Sequence, residues 1–126
     1  MKFYVEWHFF LGVTSQEKCA KLVEKISALL GFDLTEVTSE RYWKENAVYT
    51  VSAQSSFEAT NPKDAMDAIM KSIRGLAPTW IVTVPPDDDS WEFGGRSNPG
   101  AIQVSGVNSV SFNVSTVKNT GLAEAV

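Results

Sequence analysis

The order of its hydrophobic patterns constrains this chain more than any single residue does. A strictly alternating apolar segment comes first, then a helical pattern, two β-rich segments, a second helical pattern and a further apolar strand, all within the first 86 residues. Phe3, Val5, Trp7, Phe9 and Leu11 share one side of the opening segment, and Tyr4, Glu6, His8 and Phe10 share the other. A long strand with one wholly apolar side is a central strand with one buried face, so both helices are expected to pack on that side.

The segments that follow carry their own start and stop signals. Thr14 and Glu17 stand at capping-box spacing, after which Cys19, Leu22, Val23, Ile26, Leu29 and Leu30 recur at helical spacing as far as Gly31, which suits a left-handed cap. Residues 34–43 and 47–57 are rich in Thr, Val, Tyr and Trp and are joined at Lys44-Glu45-Asn46, the pattern of a hairpin. Asn61-Pro62 opens the second helix, whose stripe is Met66, Ile69, Met70, Ile73 and Leu76, and Ala77-Pro78 stops it before a strand over 79–84. Pro85-Pro86 ends that strand. Residues 87–100 read as an acidic, glycine-rich loop, and 101–117 as closing strands, with Ile102 and Val104 separated by Ser105-Gly106 from Val110, Phe112 and Val114.

This succession is similar to that of ferredoxin-like domains. The resemblance implies an α+β fold of the split β-α-β type (βαββαβ), an antiparallel sheet of strand order 4-1-3-2 with two helices on one face, here extended by a C-terminal β-hairpin that lengthens or covers the sheet. A single domain is expected over 1–117, made of the 1–86 unit, the 87–100 loop and the 101–117 strands, with 118–126 as a flexible tail. Many functions share that fold, so it selects none of them.

Charge and composition narrow the field. A net charge of −4 with pI near 4.9 argues against nucleic acid and favours a neutral ligand or a basic protein partner. One cysteine and one histidine exclude a disulfide within the chain and a Cys/His zinc site. Cys19 falls in the apolar stripe, where a thiol behaves as a small hydrophobe. Glu6 and His8 interrupt the apolar start, which therefore reads as a strand rather than a signal peptide, and no apolar run reaches the ~18 residues of a membrane span. A cytoplasmic protein without membrane contact is the expectation.

No residue pattern points to catalysis or to a cofactor. His8 would need a nucleophile and an orienting carboxylate; Glu6 lies two residues away on the same strand face, but no motif brings a Ser or Cys to it. Asp87, Asp88 and Asp89 are adjacent rather than alternating, which suits a solvated charge run better than a cation loop. Gly94-Gly95 and Gly100 lack the helix and Lys-Ser/Thr of a phosphate loop.

Two contact surfaces remain. Tyr4, His8 and Phe10, with Tyr42 on a neighbouring strand, resemble the aromatic platform of RNA-recognition domains, but the arginine/lysine-glycine-aromatic motif is missing and the charge has the wrong sign. That face is expected to be covered by the closing hairpin or by a second copy of the chain. The other surface is Trp91 with Phe93, surrounded by Asp87, Asp88, Asp89 and Glu92, either an aromatic anchor in an acidic setting or a plug for the core, with Arg96 as a local charge partner.

Residues 87–93 and the W-E-F-G-G sequence at 91–95 resemble immunity proteins of bacterial toxin systems. The resemblance implies a non-enzymatic inhibitor that occupies a basic enzyme or toxin through Asp87, Asp88, Asp89, Trp91, Glu92, Phe93 and Arg96. Two alternatives stand beside it. One is a ferredoxin-like dimer that binds or slowly transforms a small apolar ligand between sheet and helices, with His8 and Tyr4 as its polar groups. The other is an assembly subunit whose sheet edge pairs with a neighbour.

Overall fold

The computed structural model describes residues 1–44, 47–83 and 92–117. They form, in chain order, β1 (Lys2–Leu11), α1 (Gln16–Leu30), β2 (Thr35–Arg41), β3 (Tyr49–Glu58), α2 (Pro62–Ile73), β4 (Trp80–Thr83), β5 (Glu92–Ser97) and β6 (Val107–Ser115). Asn46, Pro85-Pro86, Asp87 to Asp89, Trp91 and the 118–126 tail, each assigned a role from sequence, lie outside the described residues.

The strands make a six-stranded sheet in the order β2-β3-β1-β6-β5-β4, antiparallel throughout. This is an α+β architecture, but it is not ferredoxin-like. The order 4-1-3-2 would put β4 beside β1; β6 holds that place, and β4 is displaced to the far edge with β5 between them. Strand length gives the physical reason. β1 has ten residues and β4 only four, whereas the nine-residue β6 sets Val114, Phe112 and Val110 directly against Val5, Trp7 and Phe9. The longer apolar ladder covers more of the central strand.

The C-terminal hairpin is corrected in the same way. Residues 101–104 form no strand, and β6 pairs instead with β5, which arises inside the segment read as a loop. Ile102 and Val104 do reach the core, but from a connection held down by the Gln103 N–H donating to the Leu76 carbonyl at 2.9 Å. Gly95 lies directly opposite Phe112, and a Cβ there would sit 2.9 Å from the Phe112 ring. Two glycines that look like loop residues in the sequence are thus strand positions made bare for a close approach.

One face of this sheet carries the core. Trp7, Ile26, Val51 and Ile69, from β1, α1, β3 and α2, belong to a single buried cluster. Gly31 ends α1 in the left-handed conformation at φ 78°, its N–H bonded to the Ser27 carbonyl at 3.0 Å. The start of α1 differs from the capping box at Thr14, because Ser15 is the cap and accepts from the Lys18 N–H at 3.2 Å. Asn61 caps α2 as its sequence suggests, accepting from the Asp64 N–H at 2.9 Å, with Pro62 as the first helical residue.

Candidate functional site

The alternation that fills the core leaves the opposite face of the sheet without a helix on it among the described residues. Cross-strand register arranges that face in rows. His8 lies between Ser52 of β3 and Ser111 of β6; beyond Ser52 comes Thr38, and beyond Ser111 comes Arg96. One step along, Glu6 lies between Gln54 and Asn113, and one step the other way Phe10 lies between Thr50 and Ser109.

At the Phe10 end the face becomes aromatic. The Phe10 and Tyr42 rings meet edge to face at 5.5 Å, Tyr42 abuts Trp43 at 6.2 Å, and the Lys44 ammonium stands 5.0 Å above the Trp43 ring. Trp43 is 82% exposed, the most exposed large apolar side chain among the described residues. The sequence does hint at this, since Trp43 abuts the Lys44-Glu45-Asn46 turn signal and has no place in either apolar alternation. Tyr4 shares the face but stands six residues from Phe10, roughly 20 Å along the strand, so the four aromatic and histidine positions are not one continuous platform.

Register also supplies a partner for His8 that no motif announced. Its Nδ1 is 3.1 Å from Ser52 Oγ, and its Nε2 is 3.4 Å from Glu6 Oε1. Nucleophile, imidazole and carboxylate are in relay order, but the setting does not favour acyl transfer. An oxyanion needs free donors, and Ser52 lies on a strand hydrogen-bonded to β2 on one side and to β1 on the other, so the amides around it belong to the ladder. On an open surface the three groups are better suited to hydrogen bonding with a partner. His8 and Tyr4 also lie away from the helices, so they line no space between helices and sheet.

The second surface divides. Phe93 is 1% exposed and packs edge to face on Phe112 at 5.7 Å, which makes it the core plug and removes it from the interface proposed on sequence. Glu92 is exposed at the start of β5 and accepts a hydrogen bond from Asn113 Nδ2. Arg96 is exposed on the open face, opposite Ser111.

Cys19 is buried on the inner side of α1, where burial pushes its thiol pKa up against a smaller opposing effect of the Ser39 hydrogen bond. It lies at the floor of a groove of about 510 Å³ between α1 and β2, lined also by Ala20, Val23, Leu34 and Val37. No group of three or more His, Cys, Asp or Glu among the described residues could hold a metal ion, and no helix among them is long and apolar enough to cross a membrane. Set against known proteins, the chain matches no family model, no curated sequence and no solved structure.

Proposed function

We propose that this chain is a non-enzymatic binding domain that neutralises a basic protein partner, as immunity proteins of bacterial toxin systems do. The observation that supports the reading is the sheet face that no helix of the described residues covers, ending in the Phe10, Tyr42 and Trp43 cluster. An exposed tryptophan keeps apolar surface in water in the free protein and releases that water when a partner covers it, the chemistry of an interface anchor. Glu6, Glu40, Glu58 and Glu92 on this face outnumber Lys2, Lys44 and Arg96, and the chain carries −4 overall, so the local and global fields both suit a basic surface. With Phe93, Gly94 and Gly95 committed to the sheet and core, the anchoring role passes to Trp43, and Asp87 to Asp89 with Trp91 remain as an acidic aromatic flank in sequence.

The test is inhibition rather than capture. The protein encoded beside this chain, if a basic enzyme, is purified and its activity titrated with the chain. Stoichiometric loss of activity that Trp43→Ala relieves supports the reading. Full activity at a molar excess of the chain overturns it.

A further inference from the structure

The groove between α1 and β2 adjoins a sheet edge, and the two features share residues. β2 pairs only with β3 among the described strands, so its other side is an open edge. The Tyr42 N–H donates to the Val48 carbonyl at 2.8 Å, which fixes the alternation of the ladder. Glu40 and Thr38 therefore face β3, and the N–H and C=O groups of Ser39 and Arg41 turn to the open edge. The Ser39 side chain lines the groove, together with Val37. An extended segment laid along this edge would make main-chain bonds to Ser39 and Arg41 and drop alternate side chains beneath α1.

The lining says which side chains those would be. Ala20, Val23, Leu34, Val37 and Cys19 make an apolar floor. Gln16 and Ser39 bond to each other, and Ser27 bonds the Phe32 carbonyl. Glu24 is the one charged group of the lining and has no hydrogen-bond or ion-pair partner among the described residues. From Gln16 to Ser27 the helix runs about 16 Å, room for two or three alternate side chains of a strand. The bulge at Glu36, where φ is 50°, blunts the start of the edge and confines pairing to the stretch after it.

We propose that this edge and groove receive an extended segment of the basic protein partner as a seventh strand, with an apolar side chain over Ala20 and Val23 and a lysine or arginine against Glu24. Strand addition beside a helix takes affinity from main-chain bonds and selectivity from alternate side chains. The inference rests on the proposed function for the nature of the partner, but its site is separate from the open face.

The probe is the capped peptide Ac-Thr-Lys-Thr-Leu-Thr-Lys-Thr-amide, titrated into the chain while backbone amide signals are followed. Binding is expected with Kd of about 1 mM or tighter, with the largest shifts at Ser39 and Arg41. Methylating the leucine amide nitrogen, which leaves every side chain in place, should weaken binding about tenfold by removing an edge bond. Ser39→Pro should do the same and still fold, because its N–H faces the open edge, where proline is tolerated. Ser39→Ala should bind like the parent, and Glu24→Gln should abolish the preference over the peptide with Glu in place of Lys. No binding at several millimolar, equal binding of the methylated peptide, or a dimer of the chain through β2 overturns the proposal. If the peptide fails while stoichiometric enzyme inhibition persists, strand addition is wrong and the proposed function stands. If the peptide binds and no basic enzyme is inhibited, the site stands and the proposed function falls.

Discussion

The Trp7 indole donates its N–H to Ser55 Oγ at 2.8 Å in the middle of the core, two residues along β3 from the alanine that faces Trp7 directly. Both halves of that relationship are needed. Ala53 is small enough to leave the ring its space, and Ser55 supplies the acceptor that a buried indole requires. Ser55→Ala keeps the packing and orphans the donor, so it should destabilise the fold by about 1–3 kcal/mol. Urea unfolding followed by tryptophan fluorescence measures it. An unchanged midpoint would mean that the indole has another acceptor.

Gly95 and Phe112 make a second coupled pair. A methyl group at 95 would meet the Phe112 ring at 2.9 Å and the Ile81 carbonyl at 3.1 Å, neither able to retreat easily. Gly95→Ala should cost about 1–3 kcal/mol through overpacking. Phe112→Leu destabilises on its own by opening space in the core, yet combined with Gly95→Ala the loss should be less than the sum, by about 0.5 kcal/mol or more. Strict additivity in the double-mutant cycle would refute the contact as the cause.

How much of this was legible in the sequence follows from what each signal depends on. The inner face of β1 and both helix stripes come from periodicity within single elements, and the core takes them in except for Leu29, which is 41% exposed. Strand order depends on a competition between distant segments for the edge of β1, and no local pattern reports that β6 outlasts β4 there. β5 was hidden because Gly94 and Gly95 have low strand propensity, and their reason for being glycine is a neighbour 17 residues away in sequence, Phe112 for Gly95. The Ser52 contact to His8 needed the register of β1 on β3, whereas the outward direction of His8 was already visible in the alternation of the first segment.

Ile69 tests the helix side of the core. It is fully buried in α2 and belongs to the same cluster as Trp7, so Ile69→Ala should cost about 2–5 kcal/mol. Ile81, 42% exposed on the outer side of β4, serves as its control, and Ile81→Ala should stay within about 0.5 kcal/mol. Thermal or chemical melts of the two variants side by side decide the matter. Equal losses would place Ile81 under a cover that the described residues do not provide.

Cys19 predicts an alkaline weakness. Its folded-state thiol pKa is raised above the ordinary value of 9.0, chiefly by burial, so as pH rises the unfolded chain gives up its proton first. The corresponding stability is fully present below the unfolded value and is lost as pH climbs through the window up to the raised folded value. Cys19→Ala should lower stability at neutral pH by leaving a cavity, yet flatten the decline above about pH 9. Urea midpoints across that range check the slope. Parallel pH profiles for parent and variant would rule the thiol out as its source.

The open face is tested by separating what steers a partner from what holds it. Trp43 is 82% exposed, with its ring against Tyr42 and Lys44, so Trp43→Ala should leave folding stability within about 0.5 kcal/mol. In a complex the same ring would be desolvated, and its removal should cost about 2 kcal/mol or more of binding, seen chiefly as faster dissociation. Charge reversal across Asp87 to Asp89 should behave differently, slowing association and reducing its salt dependence, because a charge run steers encounter at long range through a field that salt screens. Both rates are read by surface binding to the inhibited enzyme at two salt concentrations, with melts confirming that each variant folds. If Trp43→Ala dissociates like the parent, the aromatic end of the sheet is not the anchor, and the β2 edge with its groove becomes the surface on which the complex must be built.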